Sequence, residues 1–364
     1  MTQSKQAVAR TAAPQTSKAA PDLTYVAGVP KEPVVPKQVA GVPGQIDHAR
    51  DLGVHYGFHT DSNFVVSRLR AADGREFQVI LHQMAVNPNK LPDSYPILLS
   101  IISISDRENR WHAQEEHAFP AGEFHVSPDR LDISCANSAI VGTLDAMKMR
   151  SNLPNGTGTI ELELQRTGPV LDNCGTGLFP FLSGQVPVWQ FALPYMTAKG
   201  TLTLDGKTQE ISGDAWLDRQ WNDMPIDFFE KRTKWKWMNL SLSNGVKISL
   251  WDMSVHGKKQ NAWATALTPS GAVMMADMVP LAENESEHWT SPVTGQTYAT
   301  AYKVIIPAFD AEFDVRIWEG MPDQEIISPS GDNKYEAACT FTGQFMGEEV
   351  TGFNCVELVG NFLA

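Results

Sequence analysis

Several motifs that mark particular chemistries are missing from this sequence of 364 residues. It has no Gly-rich phosphate loop and no Gly-x-Ser-x-Gly elbow for a serine nucleophile. Its 4 cysteines include no Cys-x-x-Cys pair, so neither a zinc ribbon nor a redox motif is indicated. The pairs His55/His59 and His112/His117 are not completed by Asp or Glu into a recognisable ligand set. The sequence therefore predicts no metal site and no bound cofactor.

Positive charge and long apolar runs are also scarce. The 42 Asp and Glu outnumber the 29 Lys and Arg, and the resulting net charge of −13 disfavours nucleic acid and anionic membranes as partners. The most apolar stretch, 97–104, has only the length of a strand, and residues 1–20 lack the apolar core of a secretory signal. We expect a soluble, cytoplasmic protein without membrane insertion. The oligomeric state stays open.

One pair of cysteines is placed for a contact across a hairpin. Cys339 and Cys355 lie eight residues on either side of Gly347, so a hairpin centred there would set them opposite each other on one face. That register allows a disulfide. A chain with no export signal is nevertheless expected to keep free, buried thiols.

Proline separates the start of the chain from the rest. Six prolines lie between positions 14 and 43, and Ala-Gly-Val-Pro occurs twice, at 27–30 and 40–43. Proline at this density blocks helices and sheet ladders, so we expect residues 1–45 to form a disordered or extended arm.

From residue 46 onward the pattern is that of β-structure. Two-residue turn signals stand between apolar segments at Asp73-Gly74, Asp205-Gly206 and Asn244-Gly245. Residues 160–165 alternate strictly between apolar and polar, and no long segment has helical periodicity. The sequence therefore predicts an all-β protein with two antiparallel barrels, over 46–224 and 225–364.

The stretch 213–222, Gly-Asp-Ala-Trp-Leu-Asp-Arg-Gln-Trp-Asn, joins the two halves. As a strand it places Asp214, Trp216, Asp218 and Gln220 on one face, and Ala215, Leu217, Arg219 and Trp221 on the other. A carboxylate beside a large apolar ring is desolvated, which favours its neutral form. Asp218 is therefore a candidate general acid, although buried acids also serve purely structural roles.

This stretch resembles the signature of the lipocalin-like family that contains carotenoid hydratase and the AttH-like predicted hydrolases. The family signature reads Gly-x-x-Trp-Met-Asp-His-Glu/Gln-Trp-Gly, and the chain matches it at Gly213, Trp216, Asp218, Gln220 and Trp221. It departs from the signature at Arg219, where the family has His, and at Asn222, where the family has Gly. Arginine does not lose its proton in proteins, so a proton-shuttling role of the family's His is in doubt here.

Weaker similarities extend the resemblance over roughly residues 50 to 360. Asp61-Ser62-Asn63-Phe64 stands where the family has Glu-Trp-Trp-Tyr, and Lys334-Tyr335-Glu336-Ala337 stands where it has Tyr-Trp-Glu-Gly. Residues 352–358, Gly-Phe-Asn-Cys-Val-Glu-Leu, stand where the family has Gly-x-Gly-Tyr-x-Glu-Leu. The resemblance implies tandem lipocalin-like barrels that bind a hydrophobic small molecule inside one barrel or between the two.

The resemblance also implies an enzyme that acts on a lipophilic unsaturated substrate (a polyene, isoprenoid or polyketide) by hydration, dehydration or isomerisation of a C=C bond, without a cofactor. Hydration needs an acid, an aromatic wall for the carbocation and a base. Asp218 would be the acid, and either Glu336 or Asp61 the base. The tryptophans that qualify for the wall are Trp216, Trp221, Trp235 and Trp237.

Two other functions stay open. A cyclase of the Diels-Alderase type needs a shaped apolar pocket and a donor that polarises a carbonyl group, and Arg219, Gln220 and Tyr335 are the candidate donors. A carrier would bind the hydrophobic ligand without chemistry. A hydrolase has no nucleophile to support it in this sequence.

Overall fold

The computed structural model describes residues 46–181, 186–223, 233–255 and 258–363. These residues form 23 strands in two antiparallel sheets, so the predicted all-β class is confirmed. Sheet A consists of β1 (Thr60–Ala71), β2 (Glu76–Val86), β3 (Ile97–Asp106), β4 (Trp111–Pro120), β5 (Phe124–Val126), β6 (Leu131–Cys135), β7 (Ser138–Gly142), β8 (Ala146–Asn152), β9 (Gly158–Arg166), β10 (Leu171–Asp172), β11 (Leu178–Phe181), β12 (Val186–Leu204) and β13 (Lys207–Asn222). Sheet B consists of β14 (Thr233–Leu242), β15 (Lys247–Val255), β16 (Lys258–Leu267), β17 (Val273–Asp277), β18 (Glu285–Thr290), β19 (Thr297–Ile306), β20 (Ala311–Ile317), β21 (Glu325–Ile326), β22 (Lys334–Phe345) and β23 (Glu348–Val359). Short 3-10 helices lie at Pro154–Gly156, Asn173–Gly175, Leu281–Glu283 and Pro307–Phe309.

Both sheets have the same strand plan. In sheet A the order is β4-β3-β2-β1-β13-β12-β9-β8-β7-β6-β5, and in sheet B it is β17-β16-β15-β14-β23-β22-β20-β19-β18. In each sheet the first strand of the chain pairs with the last one, in the middle of the strand order. The two large antiparallel sheets agree with the predicted pair of barrels.

The three largest apolar clusters contain most of the buried apolar residues. One fills the interior of sheet A with side chains such as Val65, Leu81 and Leu217, and a second fills sheet B with side chains such as Leu240 and Phe313. The third joins the outward faces of the two sheets and is rich in tryptophan. Its tryptophans are Trp216, Trp235, Trp237, Trp251 and Trp263.

The predicted hairpins are present, with tight turns at their tips. The chain has positive φ at Asp205 and Gly206, as expected for the two-residue turn between β12 and β13. In β9 the apolar residues Ile160, Leu162 and Leu164 are buried and the polar residues between them are exposed. The alternation in this strand is therefore confirmed.

The hairpin of β22 and β23 corrects the predicted cysteine register. Cys339 pairs with Asn354, and Cys355 pairs with Ala338, because the turn is centred between Met346 and Gly347 and not on Gly347 itself. This half-residue difference places the two cysteines on opposite faces of the sheet. All four cysteines are free and buried, as expected for the thiol state.

The Pro-rich arm predicted over 1–45 lies outside the described residues, and so do residues 224–232 between the two halves. The predicted domain boundary at 224 falls at the start of this second range and stays a prediction. None of the helices in the described part of the chain has the length and apolar character needed to cross a membrane.

Candidate active site

A row of side chains crosses sheet A on its outward face. Asp218 of β13 pairs with Phe64 of β1, and Phe64 pairs in turn with His82 of β2. The row continues through Ile101 of β3 to Glu116 of β4. Directly paired residues point to the same side of a sheet, so one face carries an acid, an imidazole and apolar groups in line.

A matching row crosses sheet B. Glu336 of β22 pairs with Glu357 of β23, and Glu357 pairs with Trp237 of β14. Trp237 then pairs with Trp251 of β15, and Trp251 with Trp263 of β16. The two rows face each other, since the ring centroids of Phe64 and Trp237 are 5.5 Å apart.

Between the rows lies a cavity of about 240 Å³, here called the inter-sheet cavity. Its apolar wall includes Phe64, Trp235, Trp237 and Trp251, and its polar groups include Gln190, Asp218, Gln220, Lys334 and Glu357. Ser328, Ser330 and Asp332, which precede β22, add further polar lining. Within the described residues, no group of three or more His, Cys, Asp or Glu side chains is placed to hold a metal ion. The site is thus an apolar chamber with a few placed polar groups, as ligand pockets usually are.

Asp218 lies in the wall of this cavity and is 6% exposed. Its Oδ1 accepts a hydrogen bond of 2.6 Å from the indole Nε1 of Trp216, and its Oδ2 accepts one of 3.1 Å from Nε2 of Gln190. Burial raises the pKa of Asp218 to about 8, because the charged form loses its hydration; the hydrogen bond from Trp216 opposes this shift and the charge of Glu357 adds to it. Asp218 is therefore mostly a neutral acid near pH 7.

A chain of amides fixes the donor from Gln190. The indole Nε1 of Trp263, which can only donate, lies 3.2 Å from Oδ1 of Asn173, so the oxygen of this amide must face Trp263. The amide nitrogen of Asn173 then donates to Oε1 of Gln190, which turns the nitrogen of Gln190 toward Asp218. The orientation of the carboxyl group is thus set from the sheet B side, by a residue in β16.

Glu357 is the second carboxyl group in the wall of the cavity. Its Oε1 accepts a hydrogen bond of 2.8 Å from the indole Nε1 of Trp235. Glu357 is half-buried, and its charge contributes to raising the pKa of both Asp218 and Glu336. The cavity therefore places one neutral acid on sheet A opposite a second carboxyl group on sheet B.

Lys334 and His82 form a third polar group in the wall. Nζ of Lys334 lies 3.0 Å from Nδ1 of His82 and forms an ion pair with Glu336. Burial opposes the charged form of Lys334, but Glu336 and Glu357 outweigh it and raise its pKa. Burial, and then the charge of Lys334, hold the pKa of His82 well below its usual value, so His82 is neutral. Burial likewise raises the pKa of Glu336, which lies behind Lys334 and not among the cavity-lining residues.

Arg219 and Asp61 lie on the other face of their strands, inside sheet A. The guanidinium group pairs with Asp61 at 2.7 Å, donates to the carbonyl oxygen of Ser62 at 3.1 Å and is fully buried. His55 also lies 3.0 Å from Asp61 and stacks on Trp221 with ring centroids 4.0 Å apart. Arg219, Asp61 and Trp221 thus join the segment before β1 to the interior of the barrel, and none of them lines the inter-sheet cavity.

Of the other residues predicted for the site, some line the inter-sheet cavity and some do not. Gln220, Trp235 and Trp237 line the cavity, whereas Trp216 lies behind Asp218 as its hydrogen-bond donor. Tyr335 points into sheet B, where its ring stacks on Tyr298 at 4.8 Å.

Sequence reasoning missed Glu357, Lys334, His82 and Gln190. A usable signal existed for two of them. Lys334 lies two residues before Glu336 and therefore shares its face, and Glu357 belongs to the segment 352–358 that carries the family resemblance. The partners of His82 and Gln190 come from distant parts of the chain, so no local pattern identifies them.

The fold and the cavity together define a pair of lipocalin-like barrels with an acidic, tryptophan-lined site between them. The model of the AttH-like family matches residues 40–361, so the chain belongs to the AttH-like family.

Three known proteins are similar to this chain. Dehydratase asqC from Emericella nidulans is 26% identical over 225 residues, which cover 58% of this chain and 61% of that protein. The match thus spans about three fifths of the length of this curated relative. The crystal structure of a putative AttH from Nitrosomonas europaea has a TM-score of 0.75 and 19% identity, covering 92% of this chain and 100% of that one. Kievitone hydratase from Nectria haematococca has a TM-score of 0.70 and 22% identity, covering 90% and 98%. The two structural likenesses show the fold.

Proposed function

We propose that the chain is a hydro-lyase that acts on a lipophilic substrate held in the inter-sheet cavity. It adds water to a C=C bond of this substrate, or forms such a bond by removing water. The observation that carries this proposal is the neutral, buried carboxyl group of Asp218 in a wall of tryptophans, opposite a second carboxyl group. Two carboxyl groups in different environments are a common basis for paired acid and base roles. The similarity to a dehydratase and the shared fold with a hydratase support the same reaction type.

In the direction of hydration, Asp218 gives its proton to one alkene carbon and the π electrons form the new C–H bond. The neighbouring carbon becomes a cation that the faces of Trp235, Trp237 and Trp251 stabilise. The oxygen of a water molecule then forms a bond to this carbon, and Glu357 takes a proton from that water. A proton returns from Glu357 to Asp218 through solvent. Dehydration follows the same steps in reverse.

The cavity also limits the substrate. Its volume of about 240 Å³ lies just below the range of about 300–1,000 Å³ that is usual for ligand pockets. We therefore expect it to enclose the reacting part of a substrate rather than an entire long polyene. The base assigned here is Glu357 because Glu336 lies behind Lys334 and Asp61 lies inside the barrel.

The test compares wild type with Asp218→Asn and Asp214→Asn after incubation with an organic extract of the host organism. Liquid chromatography with mass spectrometry would follow species that change by the mass of water. We expect wild type to convert such a species, and Asp218→Asn to be slower by roughly 10²- to 10⁴-fold, the usual contribution of a general acid. Asp214 is a matched control, because it is an exposed carboxylate on the same face of β13 that does not line the cavity.

Equal conversion by Asp218→Asn and wild type would contradict the proposal. If the product then had the same mass but a different retention time, a cyclase that acts by folding its substrate would be favoured. Recovery of an unaltered bound ligand from every variant would favour the carrier.

A further inference from the structure

Ser62 and Gln220 form a polar pair in the wall of the inter-sheet cavity, next to Asp218. The two residues lie directly opposite each other, Ser62 on β1 and Gln220 on β13, and both line the cavity. Directly paired residues of an antiparallel sheet point to the same side and have their Cβ atoms about 4.5–5.5 Å apart. One oxygen atom in the cavity can therefore contact both side chains.

The side chains of this polar pair keep their hydrogen bonds for a bound molecule. In the part of the chain that the structure describes, neither the hydroxyl group of Ser62 nor the amide group of Gln220 has a hydrogen-bond partner. Their polar atoms stay open to the cavity, whereas the amide atoms of Asn63, the next residue of β1, are enclosed inside the barrel. A hydroxyl group and an amide group each donate and accept, so they suit a partner that does both, such as water or an alcohol.

Other hydroxyl groups in the cavity wall are engaged or more distant. Oγ of Ser328 donates to Glu116 at 2.8 Å, and Oγ of Ser330 donates to Asp332 at 3.1 Å. Thr60 lies further along β1, away from the acid. Among the residues described, none of these three hydroxyl groups is both unengaged and beside the acid.

The distance from the polar pair to Asp218 fits the addition of water. Gln220 lies two residues beyond Asp218 on the same face of β13, roughly 7 Å along the strand. Gln190, which lies opposite Gln220 on β12, donates to Asp218 at 3.1 Å, so side chains of this row reach the acid. In a reactive arrangement the acid and the attacking oxygen each lie about 3–3.5 Å from one of two bonded carbons, which sets them up to about 7 Å apart. An oxygen held by the polar pair is therefore within reach of the carbon next to the one that Asp218 protonates.

We propose that Ser62 and Gln220 bind the oxygen atom that the reaction adds or removes. This atom belongs to the attacking water in hydration and to the departing hydroxyl group in dehydration. The inference rests on the proposed function and assigns the binding site of its second reactant. In hydration the oxygen forms its bond to the cationic carbon while it is hydrogen-bonded to the polar pair, and Glu357 takes the proton. The polar pair orients the oxygen and neither gains nor loses a proton.

The first test measures binding without turnover, using two ligands of the same shape. These are 2-(2-naphthyl)propan-2-ol, which has a hydroxyl group, and 2-tert-butylnaphthalene, which has a methyl group in its place. Equilibrium dialysis gives both dissociation constants, and the constant of the hydrocarbon divided by that of the alcohol is the alcohol preference. We expect Ser62→Ala and Gln220→Met each to lower this preference roughly 5-fold relative to wild type, because each removes one hydrogen bond. The hydrocarbon should bind each variant at least as tightly as wild type, which shows that the cavity is intact.

Thr60→Val is the matched control for these variants. It removes a hydroxyl group from the same cavity at constant shape but further from the acid, so its alcohol preference should equal that of wild type. An alcohol preference that is unchanged in both Ser62→Ala and Gln220→Met would overturn the inference. So would a loss in Thr60→Val as large as in those two variants.

The second test follows the product formed from the unsaturated substrate in an extract of the host organism. Ser62→Ala/Gln220→Met keeps Asp218 but no longer holds the oxygen, so the cation should lose a proton from a neighbouring carbon and give an isomer of unchanged mass. We expect the ratio of hydrated to isomerised product to fall roughly 10-fold relative to wild type. An unchanged ratio would show that the polar pair does not hold the reacting oxygen, and would overturn the inference.

Failure of this inference differs from failure of the proposed function. An unchanged alcohol preference in both single variants, together with loss of turnover in Asp218→Asn, would overturn the inference and leave the proposed function standing. An alcohol preference that depends on the polar pair, in a protein whose Asp218→Asn variant is fully active, would support oxygen binding by the pair and overturn the hydro-lyase proposal.

Discussion

The indole Nε1 of Trp216 lies 2.6 Å from Oδ1 of Asp218, two residues further along the same strand. This hydrogen bond stabilises the ionised carboxylate and so opposes the effect of burial on the pKa of Asp218. Trp216 does not line the cavity, but it thus lowers the pKa of Asp218, which does.

Replacing Trp216 should therefore change the titration of Asp218. In Trp216→Phe the ring remains but the donor is lost, so the pKa of Asp218 should rise above its wild-type value of about 8. Carbon-13 NMR of carboxyl-labelled aspartate would measure the midpoint, and the resonance should be missing in Asp218→Asn. Trp289→Phe, which changes a tryptophan of sheet B, is the control. An unchanged or lower midpoint in Trp216→Phe would show that the hydrogen bond has no such effect.

The raised pKa of Asp218 predicts a pH dependence of stability. Between the ordinary pKa of 3.8 and the folded value of about 8, the unfolded chain has lost a proton that the folded chain keeps. The free energy of unfolding should therefore fall as pH rises through this window, by up to about 1.4 kcal/mol per pH unit relative to Asp218→Asn. Urea unfolding of both proteins from pH 4 to pH 8 measures this difference. Parallel curves would contradict the prediction.

The buried pair of Arg219 and Asp61 should matter for folding. Arg219→Met leaves a fully buried carboxylate without its cation and should lower the free energy of unfolding by about 3–5 kcal/mol. Arg219→Met/Asp61→Leu removes both charges and should recover much of this loss. Urea unfolding measures both effects. A double variant that is no more stable than Arg219→Met would contradict the assignment of the pair as a coupled unit.

The thiols should all react, but only after unfolding. Each of the 4 cysteines is free and buried, and burial raises the pKa values of Cys174, Cys339 and Cys355, which slows their reaction. Titration with Ellman's reagent in the absence of a reductant should give almost no fast reaction in buffer and four thiols per chain in urea. Two thiols in urea would reveal a disulfide.

Local patterns predicted one part of the site well. Alternation along 213–222 correctly separates Trp216 and Asp218 from Leu217 and Arg219, because a strand has only two faces. Arg219 shows where this reasoning ends. Its partner Asp61 lies 158 residues away, so neither the ion pair nor its position inside the barrel follows from neighbouring residues.

The same limit applies to the cavity as a whole. Long-range contacts decide which strands pair, in which register they pair and which two outward faces meet. A pattern within one strand does not contain this information. The hairpin of Cys339 and Cys355 shows how sensitive this is, since a turn displaced by half a residue moved the two thiols to opposite faces. The opposition of Asp218 and Glu357 depends on two such registers at once.

The inter-sheet cavity is lined by outward-facing side chains, whereas each barrel is filled by its own apolar cluster. The residues that decide what fits are therefore different from those that keep each barrel folded. Substitution of the outward-facing residues of β1, β2, β14 or β23 would reshape the inter-sheet cavity without opening a void in the core of either barrel. Under the proposed function, substitutions in the cavity wall would change which substrates fit and would leave the core inside each barrel intact.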